Sequence, residues 1–431
     1  MNVAVVGLGK IGLPLAVQIA TSDHTVLGAD ISPEVVDAVI SGVPHFPGEA
    51  DLAERLAEVT SNGRLRATTN TAAAVAESEI VIIVVPLVVN ETYEPDFAAI
   101  DAASRDVGRG MAPGTLVIYE TTMPVGATRG RFGPLLEAES GLVPGRDFWL
   151  AHSPERVYSG RVFADLRTYP KLVGGVDPVS EARAADFYRS AFEFDERSDL
   201  PRPNGVWTMG GAEAAELAKL AETTYRDVNI ALANEFAMYA ERIGLDVHAV
   251  IDAANSQPFA HIHRPGIAVG GHCIPVYPRF YLTGDPEARL PLAGREINEA
   301  QPAHAVKMLE EAMGGIAGRR VVVLGVAYRG GVKETAFSGA RPLVDLIEAA
   351  GGEALVHDPL YTAEELAAHG FVAYRDGAAC DGAIVQTDHQ EYRSLFPGDL
   401  PGCRVVYDGR RILDAATWRA ADVTVIEIGV G

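Results

Sequence analysis

The chain has 431 residues, enough for two or three domains with substantial cores. Hydrophobic residues make up 48 % and charged residues 22 %, the make-up of an ordinary globular protein. The formal net charge of −22, without a long basic run, speaks against nucleic acid and anionic membrane as partners, since both require clustered Lys and Arg.

The first stretch, Asn2-Val-Ala-Val-Val-Gly7-Leu-Gly9-Lys10-Ile11-Gly12, is an apolar strand running into a G-x-G-x-x-G loop. A helix is expected to follow, with Leu13, Ala16, Val17 and Ala20 on its inner face. The first glycine makes the turn, the second lets a pyrophosphate reach the backbone, and the third permits close helix packing. The helix N-terminus then receives the negative charge. A second strand, Thr25 to Ala29, ends in Asp30, about 20 residues past the glycines, where a carboxylate accepts ribose hydroxyls. An acid there repels a 2′-phosphate, so NAD is expected rather than NADP.

Two further strands continue the pattern, Glu79 to Val85 stopped by Pro86, and Ala112 to Tyr119 leading into Glu120-Thr-Thr122-Met-Pro-Val-Gly126. Residues just past strand ends face the ligand crevice of an open parallel sheet, which puts Pro86 and Thr122 along the cofactor. The Thr122 hydroxyl could equally cap its turn. Phe148-Trp-Leu-Ala-His-Ser-Pro-Glu155-Arg156 is another strand with polar residues at its end. Glu155 is a candidate acid or base, or else an ion-pair partner of Arg156.

From Gly211 to Gly244 the chain is free of proline and rich in Ala, Leu and Glu, which predicts one helix of roughly 50 Å. Such a rod suits a connection between domains and packing against a second subunit. Lys219, Thr223, Arg226 and Ile230 share one face of it, although basic residues on helices are more often solvated. Residues 245–266 are read as a break containing Pro and His. The cysteine loop follows, Ile267-Ala-Val-Gly270-Gly271-His272-Cys273-Ile-Pro275-Val-Tyr277-Pro278. Gly270 and Gly271 allow a sharp turn and close approach to a ligand, while the two prolines are expected to keep Cys273 on a rigid loop. A thiol in that setting is either a nucleophile or a structural cysteine. Cys273, Cys380 and Cys403 show no metal spacing, and an odd, sparse set suits a reducing cytoplasm. The opening strand resembles no signal peptide, and no apolar run reaches the roughly 20 residues that cross a bilayer. A soluble cytoplasmic protein without a metal is expected.

The last third repeats the strand–helix grammar. Arg319 to Leu324 is a strand ending at Gly325, with further strands expected at 353–357, 382–386, 404–407 and 423–427. Arg329 and Lys333 are candidate phosphate contacts or surface salt bridges. The fold class expected is α/β, with two Rossmann-like doubly wound domains joined by a long central helix. The expected division is 1–205 for NAD, 206–305 for the helical linker with the lysine and the cysteine loop, and 306–431 for a second phosphorylated ligand.

Six stretches in this order resemble the nucleotide-sugar 6-dehydrogenases, the UDP-glucose/GDP-mannose dehydrogenase family. They are Gly7 to Pro14, Thr121 to Gly126, Ser153 to Arg156, Glu216 to Glu222, Gly270 to Pro275 and Gly325 to Arg329. The Ser-Pro-Glu-Arg form, Gly160-Arg161, the run Tyr225 to Asn229 and His272 are most similar to the branch acting on UDP-N-acetylmannosamine and UDP-N-acetylglucosamine. The resemblance implies oxidation of a sugar C6 alcohol to a carboxylate in two NAD-dependent steps. Cys273 would attack the intermediate aldehyde, Lys219 would steady alkoxide charge, Glu155 would manage protons or water, and Thr122 would position that water. It implies substrate contacts at Glu155, Arg156, Lys219, Thr223 and Arg226, and also at Gly270, Gly271, Tyr277 and Arg329. Gly7, Gly9, Lys10, Ile11, Gly12, Asp30, Pro86 and Thr122 are the corresponding cofactor set. A UDP-sugar substrate and a homodimer are expected on the same ground.

The chain also departs from the family pattern. Thr223 stands where the family commonly has Asn, and Tyr277 where it commonly has Asp. Ala336 and Phe259 lie at places where arginine is frequent. A phenol does not supply an anion at neutral pH, because its ordinary pKa is about 10. Alternative readings are a UDP-glucose 6-dehydrogenase, a two-electron dehydrogenase with impaired thioester hydrolysis, or a non-catalytic nucleotide-sugar-binding paralogue.

Overall fold

In the computed structural model, which describes residues 1–431, the chain divides into two compact units, Met1–Glu222 and Thr223–Gly431. The strands of the first are β1 (Asn2–Val6), β2 (Thr25–Ala29), β3 (Leu65–Thr68), β4 (Ile80–Ile83), a short hairpin of β5 (Val88–Val89) and β6 (Pro95–Asp96), β7 (Leu116–Tyr119), β8 (Trp149–His152), β9 (Lys171–Gly175) and β10 (Val206–Thr208). Eight of them form one sheet in the order β10-β9-β8-β7-β4-β1-β2-β3. Neighbours run parallel throughout except β8 with β9. The central strands are apolar on both faces because helices cover both. Val3 to Val6, Ile80 to Ile83 and Leu116 to Tyr119 are all buried.

Strand β1 lies between β2 and β4, so the chain leaves it in opposite directions on its two sides. That switch opens a crevice past the strand ends. Gly7 occupies it with a φ of 93°, and an added Cβ would lie 3.2 Å from the Val84 backbone. Helix Gly12–Thr21 follows and buries Leu13, Ala16, Val17 and Ala20, the face its periodicity predicts.

The second unit carries a five-stranded parallel sheet of β11 (Arg320–Leu324), β12 (Glu353–His357), β13 (Gly382–Val385), β14 (Val405–Asp408) and β15 (Thr424–Glu427). Its order, β12-β11-β13-β14-β15, again reverses at the first strand. Gly325 stands at that reversal with a φ of 101°, and a Cβ there would come within 2.2 Å of Thr387. The two doubly wound sheets expected from the sequence are thus both present.

Ala212–Ile243 is a single helix of 32 residues. Two local expectations fail. Residues 245–266 are not merely a break, since Val247–Asn255 is a helix whose Asp246 side chain caps the His248 amide. An aspartate before an apolar stretch is an N-cap signal that the nearby Pro and His obscured. Nor does Pro278 hold the chain out of a helix. It sits in the first turn of helix Tyr277–Gly284, where no amide is required of it. No helix is long and apolar enough to cross a membrane.

Candidate active site

In the first unit the loop after β1 is a cradle of bare backbone. A Cβ on Gly12 would fall 1.8 Å from the Gly7 carbonyl oxygen, so the helix start packs on the loop only because that residue is glycine. At Gly9 a Cβ would meet nothing within 4 Å, which leaves room for a ligand to reach the amides. Lys10 is exposed and Ile11 half-buried beside it. Asp30 follows β2 and accepts the Leu8 amide at 2.8 Å and the Ser32 amide at 3.0 Å, one on each carboxylate oxygen. Lone pairs remain on both oxygens for ribose hydroxyls. Across the crevice, Thr121 Oγ1 donates to the Val85 carbonyl at 2.7 Å and joins the ends of β7 and β4. Thr122 is buried next to it, whereas Pro86 is exposed. These residues fit a dinucleotide with a free adenosine ribose.

Glu155 follows β8, but its ion pair is not with Arg156. Its Oε2 lies 2.9 Å from Lys171 Nζ on β9, while its Oε1 accepts the backbone amide of Arg156 at 2.6 Å. The Arg156 guanidinium turns instead to Glu222, 2.7 Å away. Lys219 is buried on the long helix rather than solvated, with Nζ 3.8 Å from Glu222 Oε1. One turn earlier Glu216 accepts Gly126 N at 2.5 Å, Thr128 N at 2.9 Å and Thr128 Oγ1 at 2.6 Å. The helix that carries Lys219 is thereby fixed to the loop that carries Thr122.

In the second unit the cysteine loop is docked against the 328–338 loop. Gly271 donates to the Ala336 carbonyl at 2.8 Å, and a Cβ on Gly270 would lie 2.5 Å from Tyr328 Cβ. Cys273 is half-buried, and its carbonyl accepts the Tyr277 amide at 2.9 Å, so the thiol stands just ahead of helix Tyr277–Gly284. The exposed His272 imidazole reaches Glu334 at 3.5 Å. Tyr277 is half-buried against Phe280, with ring centroids 5.6 Å apart. Thr223 is buried, whereas Arg226, on the same helix, is exposed. Arg329 is also exposed, with Nε 3.4 Å from the Tyr328 hydroxyl. Lys333 forms a surface pair with Glu365 at 2.5 Å, the plainer of the two readings given to it.

Several residues escaped the sequence reading. Asp358, past β12, accepts Val326 N at 2.8 Å and Leu360 N at 2.9 Å, and meets His389 Nε2 at 3.1 Å. It repeats in the second sheet what Asp30 does in the first, and its place after the second strand was a usable signal. Arg410 donates to the Gln386 carbonyl at 2.6 Å beside the same crevice. Buried Asp227 pairs with Arg295 at 3.2 Å and accepts Asn298 Nδ2 at 2.8 Å, and Asn234 then links Asn298 to the Gly266 amide. No local pattern marks that chain, because its members are divided between two helices far apart in sequence, Ala212–Ile243 and Arg289–Glu299.

Three family models match the chain in succession. They are the NAD binding domain of the UDP-glucose/GDP-mannose dehydrogenase family over residues 1–192, the central domain over 213–300 and the UDP binding domain over 322–415. The chain belongs to the UDP-glucose/GDP-mannose dehydrogenase family. This dehydrogenase is an NAD-dependent oxidoreductase of nucleotide sugars, with the Gly7–Gly12 cradle in its NAD binding domain and Gly325 and Asp358 in its UDP binding domain. It is 37 % identical over 422 residues, 96 % of each chain, to the UDP-N-acetyl-D-mannosamine dehydrogenase of Pyrococcus horikoshii. The NDP-N-acetyl-D-galactosaminuronic acid dehydrogenase of Ralstonia nicotianae is 33 % identical over 425 residues, again 96 % of each. Among solved structures, a UDP-D-ManNAc dehydrogenase from Pyrococcus horikoshii superposes with a TM-score of 0.88 at 35 % identity, covering 100 % of this chain and 99 % of that one.

Proposed function

We propose that the chain oxidises the C6 alcohol of a UDP-N-acetylhexosamine to the uronate, through a thiohemiacetal and a thioester on Cys273. The likeness to a UDP-N-acetyl-D-mannosamine dehydrogenase across 96 % of both chains carries the choice of sugar class. NAD, when bound, accepts hydride. The chain's own residues supply the remainder. Glu155 takes the proton from the C6 hydroxyl, and Lys219 steadies the negative charge left on that oxygen. The Cys273 sulfur bonds to the aldehyde carbon, which makes a second oxidation possible without a free aldehyde hydrate. Water then displaces the sulfur, giving the carboxylate and restoring the thiol, with Thr122 orienting the water. Thr223, Arg226, Gly270, Gly271, Tyr277 and Arg156 are assigned to the sugar and its phosphates, and Arg329 to the nucleotide. The functional division follows 1–205, 206–305 and 306–431.

A homodimer is part of this proposal. Tyr225, Leu232, Phe236, Tyr239 and Ile243 recur at helical spacing on the long helix, and Tyr225 and Tyr239 are 57 % and 56 % exposed. An apolar row of that length is the kind of face a second copy covers. Three free thiols, Cys273, Cys380 and Cys403, fit a cytoplasmic location.

The test is a panel of UDP- and GDP-sugars assayed for NADH formed per sugar, with the product mass recorded. UDP-N-acetyl-D-mannosamine yielding two NADH and the uronate supports the reading. No NADH from any UDP-N-acetylhexosamine overturns it. A single NADH with an aldehyde product favours a two-electron enzyme, for which the specific observation is Tyr277, a phenol packed on Phe280.

A further inference from the structure

Behind Glu155 lies a charge cluster that the chemistry above leaves without a task. Glu120, one residue past β7, is 1 % exposed, and Lys171, the first residue of β9, is 5 % exposed. Lys171 Nζ stands 2.8 Å from Glu120 Oε2 and 2.9 Å from Glu155 Oε2, so one ammonium faces two carboxyl groups. The other oxygen of Glu120 accepts the Tyr188 hydroxyl from helix Pro178–Ala191. The two carboxyl groups thus share one ammonium.

The elements packed around the cluster bring no second cation to balance it. From β8 comes His152, wholly buried, its ring held neutral by burial and by the Lys171 charge. Ser153, on the following residue, gives its hydroxyl to the Leu172 carbonyl at 2.7 Å. Tyr188 and Phe192 present ring faces to Lys171, 4.9 Å and 5.7 Å from Nζ. Burial pushes the Tyr188 hydroxyl well up, so it stays protonated. The Arg156 guanidinium is engaged by Glu222, which also lies 3.8 Å from Lys219. Two carboxylates against one ammonium leave an uncompensated negative charge where water is scarce, and such a charge is costly. The cluster is relieved when one proton sits between the two acids.

Their surroundings decide which acid holds it. Burial pushes Glu120 up, beyond what Lys171 restores, to about 7. Burial also acts on Glu155, but the Lys171 charge and the hydrogen bonds it receives outweigh that and hold it below the usual range. The inner acid keeps the proton and the outer one stays ionised.

Resting on Glu155 as the base of the proposed reaction, we infer that Glu120 and Lys171 are positioning residues that set its proton affinity. The O–H bond of the C6 hydroxyl breaks as one forms on Glu155, while Lys171 remains an ammonium and Glu120 a neutral acid throughout, so these two fix how readily Glu155 takes that proton.

The experiment is the pH dependence of kcat/KM with UDP-N-acetyl-D-mannosamine and NAD, together with infrared titration of the NAD-bound enzyme. Lys171→Met removes the cation, so the acidic limb moves to higher pH by about one unit or more. Glu120→Gln puts a neutral side chain in place of the neutral acid, so the limb stays near its wild-type position, while a protonated-carboxyl band titrating near neutrality disappears. Lys171→Arg, which keeps the charge, restores most of the wild-type profile. An unmoved limb in Lys171→Met, or an unchanged carboxyl band in Glu120→Gln, overturns the inference. Should Lys171→Met not fold, or should this sugar not be turned over, the Glu120→Gln band decides it. Glu155→Gln separates the two claims. Full turnover in that variant removes the base itself, whereas abolished turnover beside an unmoved limb in Lys171→Met defeats only the supporting pair.

Discussion

The Val326 amide donates to Asp358 Oδ2 at 2.8 Å, the same length at which the Leu8 amide donates to Asp30 Oδ2. Each carboxylate follows the second strand of its sheet and anchors the glycine turn after the first. Each also takes an amide two residues onward on its other oxygen, Leu360 at 2.9 Å and Ser32 at 3.0 Å. The second sheet adds His389 to this device. Burial raises the Asp358 carboxyl, but His389 and the Leu360 and Val326 amides outweigh it, and the net direction is below the usual value.

A depressed carboxyl stabilises the folded state above its unfolded pKa and loses that contribution as pH falls through its folded pKa. The loss should therefore begin below about pH 4. Asp358→Asn is expected to cost about 1–3 kcal/mol at pH 7. Urea unfolding of both proteins from pH 7 down to pH 3 checks this, and the gap between them should narrow toward the acid end. A gap that widened with acid would contradict the assignment.

The second and third glycines of the cofactor loop should respond differently to alanine. Gly9→Ala adds a methyl group where nothing stands within 4 Å, so its melting temperature should stay close to wild type while NAD affinity falls at least tenfold. Gly12→Ala drives a methyl group to 1.8 Å from the Gly7 carbonyl oxygen, so fold stability falls along with affinity. Thermal melts with and without NAD, together with calorimetric titration, separate these outcomes. Equal loss of melting temperature in both variants would show Gly9 to be structural as well.

The cysteine loop depends on a contact that a single methyl group would break. A Cβ on Gly270 would lie 2.5 Å from Tyr328 Cβ and 2.9 Å from the Phe337 carbonyl oxygen. Gly270→Ala should free the loop from the 328–338 segment and reduce turnover more than a hundredfold. The labelling rate of Cys273 by a neutral alkylating reagent should rise at the same time. Cys273→Ser should abolish uronate formation while substrate still binds. Full activity in Cys273→Ser would end the covalent scheme.

Motifs that one segment carries whole were legible before any coordinates. The Gly7–Gly12 loop, Asp30, the run to Gly244 and the Gly270–Cys273 turn all declare themselves by local spacing. Residues whose role is made by tertiary pairing were not. Lys171 opens an apolar strand and Glu120 closes another, and only the sheet order that sets β7, β8 and β9 side by side reveals one ammonium between two acids. Adjacency in sequence leaves an ion pair of Glu155 with Arg156 open, yet the Arg156 guanidinium reaches Glu222 on the long helix. The Asp227–Asn298–Asn234 chain is likewise invisible to periodicity, which records only that a position faces inward.

Glu216 offers the most direct test of how the long helix is held. Its carboxylate is wholly buried and meets three donors, the amides of Gly126 and Thr128 and the Thr128 hydroxyl. A glutamine there keeps one acceptor oxygen and turns an NH2 group toward donors, so at least one buried N–H loses its partner. The cost should be about 1–3 kcal/mol, and removal of the whole side chain in Glu216→Ala should cost more because it also leaves a cavity. Because the same contact fixes the segment after β7, which carries Thr122, kcat in Glu216→Gln should fall further than NAD affinity. Denaturant unfolding combined with steady-state kinetics at saturating NAD measures both. If stability dropped while kcat held, the anchoring of the Thr122 loop by Glu216 would have no part in positioning the reaction.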